Sequence, residues 1–158
     1  MEQRIDFREV KPGALQAMYG LENYLSGCGI EASLLHLINM RVSQINGCAY
    51  CLDMHSKDLR ATGETEQRIY LLDAWREAPF YTDRERAALA WAESVTLVSQ
   101  THVPDEEFAE ARKHFSPAEL GDLTLAIVAI NGWNRLSIAF RVTPGTYQPA
   151  HAQKPATV

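Results

Sequence analysis

Apolar residues recur at helical spacing along most of this chain, and helix starts and stops stand between them. Across 11–25, Leu15, Met18, Tyr19 and Leu25 form one face of an amphipathic helix. Ser26-Gly27-Cys28-Gly29 ends it, because glycine readily takes the left-handed conformation that stops a helix. Over Ala32 to Ser43, Leu34, Leu35, Leu37, Ile38, Met40 and Val42 predict a helix apolar on most of its surface, hence buried. Asn46-Gly47 is a turn dipeptide. A third helix is expected from Cys48 to about Ala61, where Gly63 stops it. A fourth runs from Thr65 to Ala78, ahead of Pro79. Thr82-Asp83-Arg84-Glu85 has capping-box spacing and opens a fifth, carrying Ala88, Leu89, Trp91, Ala92, Val95 and Leu97. Pro104 opens a short helix with acids on its first turn. Ser116-Pro117-Ala118-Glu119 is the strongest helix start, and Pro117 to about Arg135 should be central.

The pattern predicts an all-α fold of seven or eight helices with no sheet, one domain over 1–145 and an extended C-terminal tail over 146–158. Helices apolar around most of their circumference, in a chain of 158 residues, predict a homo-oligomer. The longest uncharged apolar run, Leu123 to Asn134, is about a dozen residues; a membrane span needs roughly 20, so this reads as a core helix and no membrane is expected. A net charge of −5 leaves no basic footprint for nucleic acid. The charged N-terminus is unlike a signal peptide, and the chain reads as cytoplasmic. Three cysteines, two of them close together, do not make a secreted disulfide framework; in a reducing compartment such a pair is catalytic or metal-binding.

That pair is Cys48-Ala49-Tyr50-Cys51, followed by His55. At about 100° per residue, Cys48 and Cys51 lie about 60° apart on a helix. His55 joins their face, and helical side chains lean toward the N-terminus, so its imidazole leans over Cys51. A thiolate is the reactive form, and both a neighbouring base and the positive end of a helix favour it. The two influences point to different cysteines. The helix dipole, about 0.3–1 kcal/mol when exposed, favours Cys48. A close imidazole favours Cys51 and should outweigh it, since one unit of thiol pKa corresponds to about 1.4 kcal/mol.

Other readings of the same residues stay open. Buried cysteines are common packing residues. Cys48, Cys51 and His55 are also zinc-type ligands, with Cys28 or His36 as a fourth, although no second ligand pair from a turn or hairpin is present. Haem attachment fails, because residue 52 is leucine. His102, His114 and His151 read as surface residues, and Cys28 as a free buried thiol. His36 is a candidate of a different kind, placed in the apolar helix that leads to the cysteine turn.

The stretch Leu34 to His55 resembles the core motif of the AhpD-like alkylhydroperoxidases, grouped with the carboxymuconolactone decarboxylases. The likeness continues through 63–68, 82–87 and 129–135, and covers roughly 11–145. It implies an all-α fold whose helix pairs intertwine into homo-oligomers, often trimers or hexamers. It also implies thiol peroxidase chemistry on alkyl or hydrogen peroxide, needing no cofactor and recycled by a dithiol reductant. By position, Cys51 would attack the peroxide, Cys48 would resolve the sulfenic acid as a disulfide, and His55 would belong to the proton relay. The family relay commonly begins with a glutamate twelve residues before the first cysteine, and here that position is His36. A neutral imidazole can also relay a proton. Glu31 lies on a different helical face. The resemblance leaves a second class open, the cofactor-free decarboxylase lyases, which do not need a cysteine pair. A third is a non-catalytic redox-sensing or zinc-holding oligomer.

Overall fold

The computed structural model describes residues 2–149, and among these there is no strand. Its helices are α1 (Pro12–Leu25), α2 (Ala32–Asn46), α3 (Ala49–Ala61), α4 (Glu66–Tyr70), α5 (Asp83–Thr96), α6 (Val98–Thr101), α7 (Asp105–His114) and α8 (Pro117–Phe140), with 3₁₀ turns at Phe7–Glu9 and Leu72–Ala74. The expected all-α fold is what forms. His151 and most of the 146–158 tail lie outside the described residues.

Both capping boxes are made. Thr82 accepts from the Glu85 amide while Glu85 accepts from the Thr82 amide, and Ser116 and Glu119 do the same at the head of α8. With its start fixed and nothing to break it, α8 runs five residues past the expected end, to Phe140. It packs against α1, α2, α3, α5 and α7. Its Leu123 and Ile127 meet Leu37 and Ile38 of α2 and Leu89 of α5 in one core. By length and composition α8 could cross a membrane, but here it is the central packing helix.

The fourth predicted helix, Thr65 to Ala78, does not form as one piece. After five residues α4 gives way to the 3₁₀ turn and then to irregular turns. The Arg86 guanidinium takes the carbonyls of Trp75, Arg76 and Ala78, which a continuous helix would direct along its axis. Trp75 is buried there, and its indole N–H donates to Glu93 at 2.8 Å. A tertiary hydrogen-bond set from α5 thus overrides local helix propensity.

The α2–α3 corner positions the site. Gly47 sits at φ +68°, the left-handed conformation that ends α2, and the Cys48 amide returns to the Ser43 carbonyl. Cys48 is therefore the N-cap of α3, not its first residue: its backbone is extended, and its sulfur accepts from the Cys51 amide at 3.4 Å. A polar thread fixes this corner against α8. Asn46 donates to Asn131 and Asn134, at 3.0 and 2.8 Å, and Asn134, fully buried, donates to Ser43 at 3.1 Å. Buried amides pay a desolvation cost unless bonded, so this thread holds one register of α2 on α8.

Candidate active site

Cys48 and Cys51 are joined as a disulfide, with Cα atoms 5.4 Å apart. Each sulfur-bearing residue is 1% exposed, so the pair lies beneath the surface. The two cysteines border different cavities. Cys51, together with His55, lines one of about 240 Å³ walled by Phe7, Tyr19, Tyr50, Met54 and Trp133. Cys48 lines a neighbouring cleft, with Gly47, Ser137, Arg141 and Thr143.

The first cavity is aromatic by construction. Trp133 on α8 meets Tyr19 of α1 with ring centroids 5.4 Å apart and Phe7 at 6.2 Å. Its indole N–H donates to Glu22 at 2.8 Å, which fixes the ring plane. Such walls suit a small apolar or aromatic molecule.

Behind this cavity is a polar cluster. His55 is 6% exposed, and neither ring nitrogen has a hydrogen-bond partner. Its Nδ1 lies 3.7 Å from Asp58 Oδ2, ion-pair range but beyond a hydrogen bond. His36, from α2, has a buried and unpartnered Nδ1. Donor atoms of His36, His55 and Asp58 all lie within 4.8 Å of one another. The other Asp58 oxygen accepts from the Tyr147 hydroxyl at 2.7 Å. Burial pushes the Asp58 carboxyl up, but the Tyr147 hydroxyl and the nearby imidazoles outweigh it and hold it below the ordinary value. Burial pushes the His36 imidazole down, toward its neutral form. Burial and the Asp58 carboxylate together push the Tyr147 phenol up to about 12, so it stays a donor.

The structure thus brings the four sequence candidates, Cys48, Cys51, His55 and His36, to one region around α3. His102 closes the short α6 and His114 ends α7, both apart from it. Cys28 is a free thiol packed against the core. By donor type, His36, His55 and Asp58 could also hold a divalent cation; the cysteines are bonded to each other and are not in that set. Sequence reasoning missed Asp58 and Tyr147. Asp58 could have been found from its spacing, three residues after His55 on the same helical face. Tyr147 carried no local signal, since 89 residues separate it from Asp58.

Comparison with known proteins places the chain in a family. Residues 12–94 match the carboxymuconolactone decarboxylase family. The uncharacterized protein YdfG of Bacillus subtilis is 46% identical over 139 residues, 88% of this chain and 95% of that one. Alkyl hydroperoxide reductase AhpD of Hyphomonas neptunium is 40% identical over 47 residues, 30% of this chain and 26% of that one. The crystal structure of an Agrobacterium tumefaciens protein of unknown function, suggested to be the antioxidant defence protein AhpD, superposes with a TM-score of 0.89 at 44% identity, covering 92% of this chain and 100% of that one. The chain belongs to the carboxymuconolactone decarboxylase family and has its AhpD-like helical fold.

Proposed function

We propose that this protein is a thiol-dependent peroxidase that reduces alkyl or hydrogen peroxide through a Cys51–Cys48 dithiol/disulfide cycle. The observation that carries the reading is the position of Cys51: with His55 it borders an aromatic cavity, and it is paired with Cys48. In the reduced protein His55 takes the Cys51 proton, and the thiolate attacks one peroxide oxygen. The O–O bond breaks, the alkoxide leaves with the proton returned by the imidazole, and Cys51 becomes a sulfenic acid. The Cys48 sulfur then attacks Cys51, water departs and the disulfide closes. An external dithiol of unspecified identity restores both thiols and is itself oxidised. His36, neutral and adjoining His55, extends the proton path in place of a carboxylate at that position.

The Cys48 side of the pair faces its own cleft, which gives a reductant an approach separate from that of the peroxide. A decarboxylase-type lyase would have no use for the paired thiols. The test is peroxide consumption in the presence of a small dithiol: wild-type protein should turn over, and Cys51→Ser should fall to the buffer rate. Equal rates in both would end the peroxidase reading.

A further inference from the structure

We infer that Asp58, braced by Tyr147, is the positioning residue that holds His55 ready to take and return the Cys51 proton. The inference rests on the thiol reading of the site and adds to it the carboxylate that position 36 does not supply.

The geometry is specific. Asp58 divides its two oxygens between two partners: Oδ1 accepts from Tyr147 at 2.7 Å, and Oδ2 faces His55 Nδ1 at 3.7 Å. A small turn of the imidazole closes that gap to a hydrogen bond, and such contacts tighten when a reacting group binds. With Nδ1–H directed at the carboxylate, Nε2 is left as the basic nitrogen. A buried imidazole that gains a proton needs a compensating negative charge, and Asp58 is the acid beside it. The carboxylate does not take the proton; it stabilises the imidazolium while the proton is stored there.

Tyr147 reaches Asp58 because the segment after α8 is strapped to α3. The Gly145 amide donates to Asp53 at 2.9 Å, and Lys57, paired with Asp53, donates to the Tyr147 carbonyl at 3.1 Å. Asp53, Lys57 and Asp58 of α3 together seat this strap. The titratable groups facing the His55–Asp58 pair are His36 from α2, Tyr50 and Cys51 from α3, Tyr19 and Glu22 across the cavity from α1, and Tyr147 from the strap. None of these is a second carboxylate in contact with His55.

The test is the rate at which Cys51 in the reduced full chain is alkylated by iodoacetamide between pH 5 and 10, resolved by peptide mass spectrometry. Asp58→Asn removes the charge and keeps the shape. It should slow Cys51 alkylation at pH 7 by about tenfold and move the reactive limb up by roughly one pH unit. Asp58→Glu should recover at least half of the wild-type rate. Tyr147→Phe should shift the profile the same way by about two- to threefold, since the carboxylate loses the bond that aims it. Nitrogen-15 NMR of His55 should show one tautomer in the wild type and a mixture in Asp58→Asn.

An Asp58→Asn profile that overlays the wild type overturns the inference, as does a wild type whose Cys51 reacts like an ordinary exposed thiol. If Asp58→Asn does not fold, Tyr147→Phe decides by the same comparison. Peroxide consumption is measured separately. A shifted alkylation profile without peroxide turnover sinks the peroxidase reading and leaves Asp58 in its role; turnover with an unshifted profile does the reverse.

Discussion

Cys51 and Cys48 stand three residues apart in sequence, yet they border cavities of different character. That separation bears on the two influences on the thiols. The N-cap position gives Cys48 the backbone end of α3, while Cys51 shares its aromatic cavity with His55. An imidazole that closes on the Cys51 thiol would outweigh a dipole worth about 0.3–1 kcal/mol. In Cys48→Ser, peroxide should leave a sulfenic acid on Cys51 that dimedone captures and mass spectrometry locates. In Cys51→Ser, Cys48 should stay largely unreacted; rapid capture at Cys48 would reverse the assignment. The cysteines and His55 were legible in sequence because each is about one helical turn from the next. Asp58 is equally local but reads as a surface charge in Ser56-Lys57-Asp58, and only the strap carrying Tyr147 reveals that it is partly buried.

At the scale of elements, one helix corner carries the site. The Gly47 turn sets the angle between α2 and α3, and a side chain there strains a φ of +68°. Gly47→Ala should destabilise the protein by about 1–2 kcal/mol and lower its thermal midpoint. The head of α8 lines neither cavity and bears on the stability of that helix. The backbone amide and side chain of Ser116, with Arg84, hold the Glu119 carboxyl down at about 2. A carboxyl depressed in the folded state stabilises it above the unfolded value, near 4.3, and that contribution disappears as pH falls through about 2. Ser116→Ala should cost about 1 kcal/mol at neutral pH. In a urea series, the difference from wild type should shrink between about pH 4 and 2. A cost that is constant with pH would show that Glu119 does not share the cap. These caps were legible because capping-box residues sit three apart. The break after α4 was not, because the residues that cause it, Arg86 and Glu93, come from a helix packed later in the chain.

The whole molecule leaves apolar surface uncovered. Val128 of α8 and Phe108 of α7 are about half exposed, and with Trp91, Leu120 and Leu125 they border one shallow apolar groove. We propose that a second copy of the chain covers such surface, as the apolar excess in the sequence suggests. Sedimentation velocity at micromolar concentration should give a species larger than one chain, and a single monomeric boundary would contradict this. The fold class was readable because helix periodicity is local and repeats along the chain. The aromatic cavity was not: Phe7, Tyr19, Tyr50 and Trp133 come from four separate parts of the sequence and meet only once α1 lies on α8.

The central claim is that Cys51 and Cys48 form one peroxide-driven couple, and its most direct measurement is a single-turnover titration. Fully reduced protein is mixed with one equivalent of an alkyl hydroperoxide, quenched by alkylation and read by intact and peptide mass spectrometry. The account predicts loss of two thiols per peroxide consumed, a Cys48–Cys51 crosslinked peptide, and Cys28 alkylated as before. Thiols unchanged while the peroxide persists, or Cys28 found in the crosslink, would contradict it.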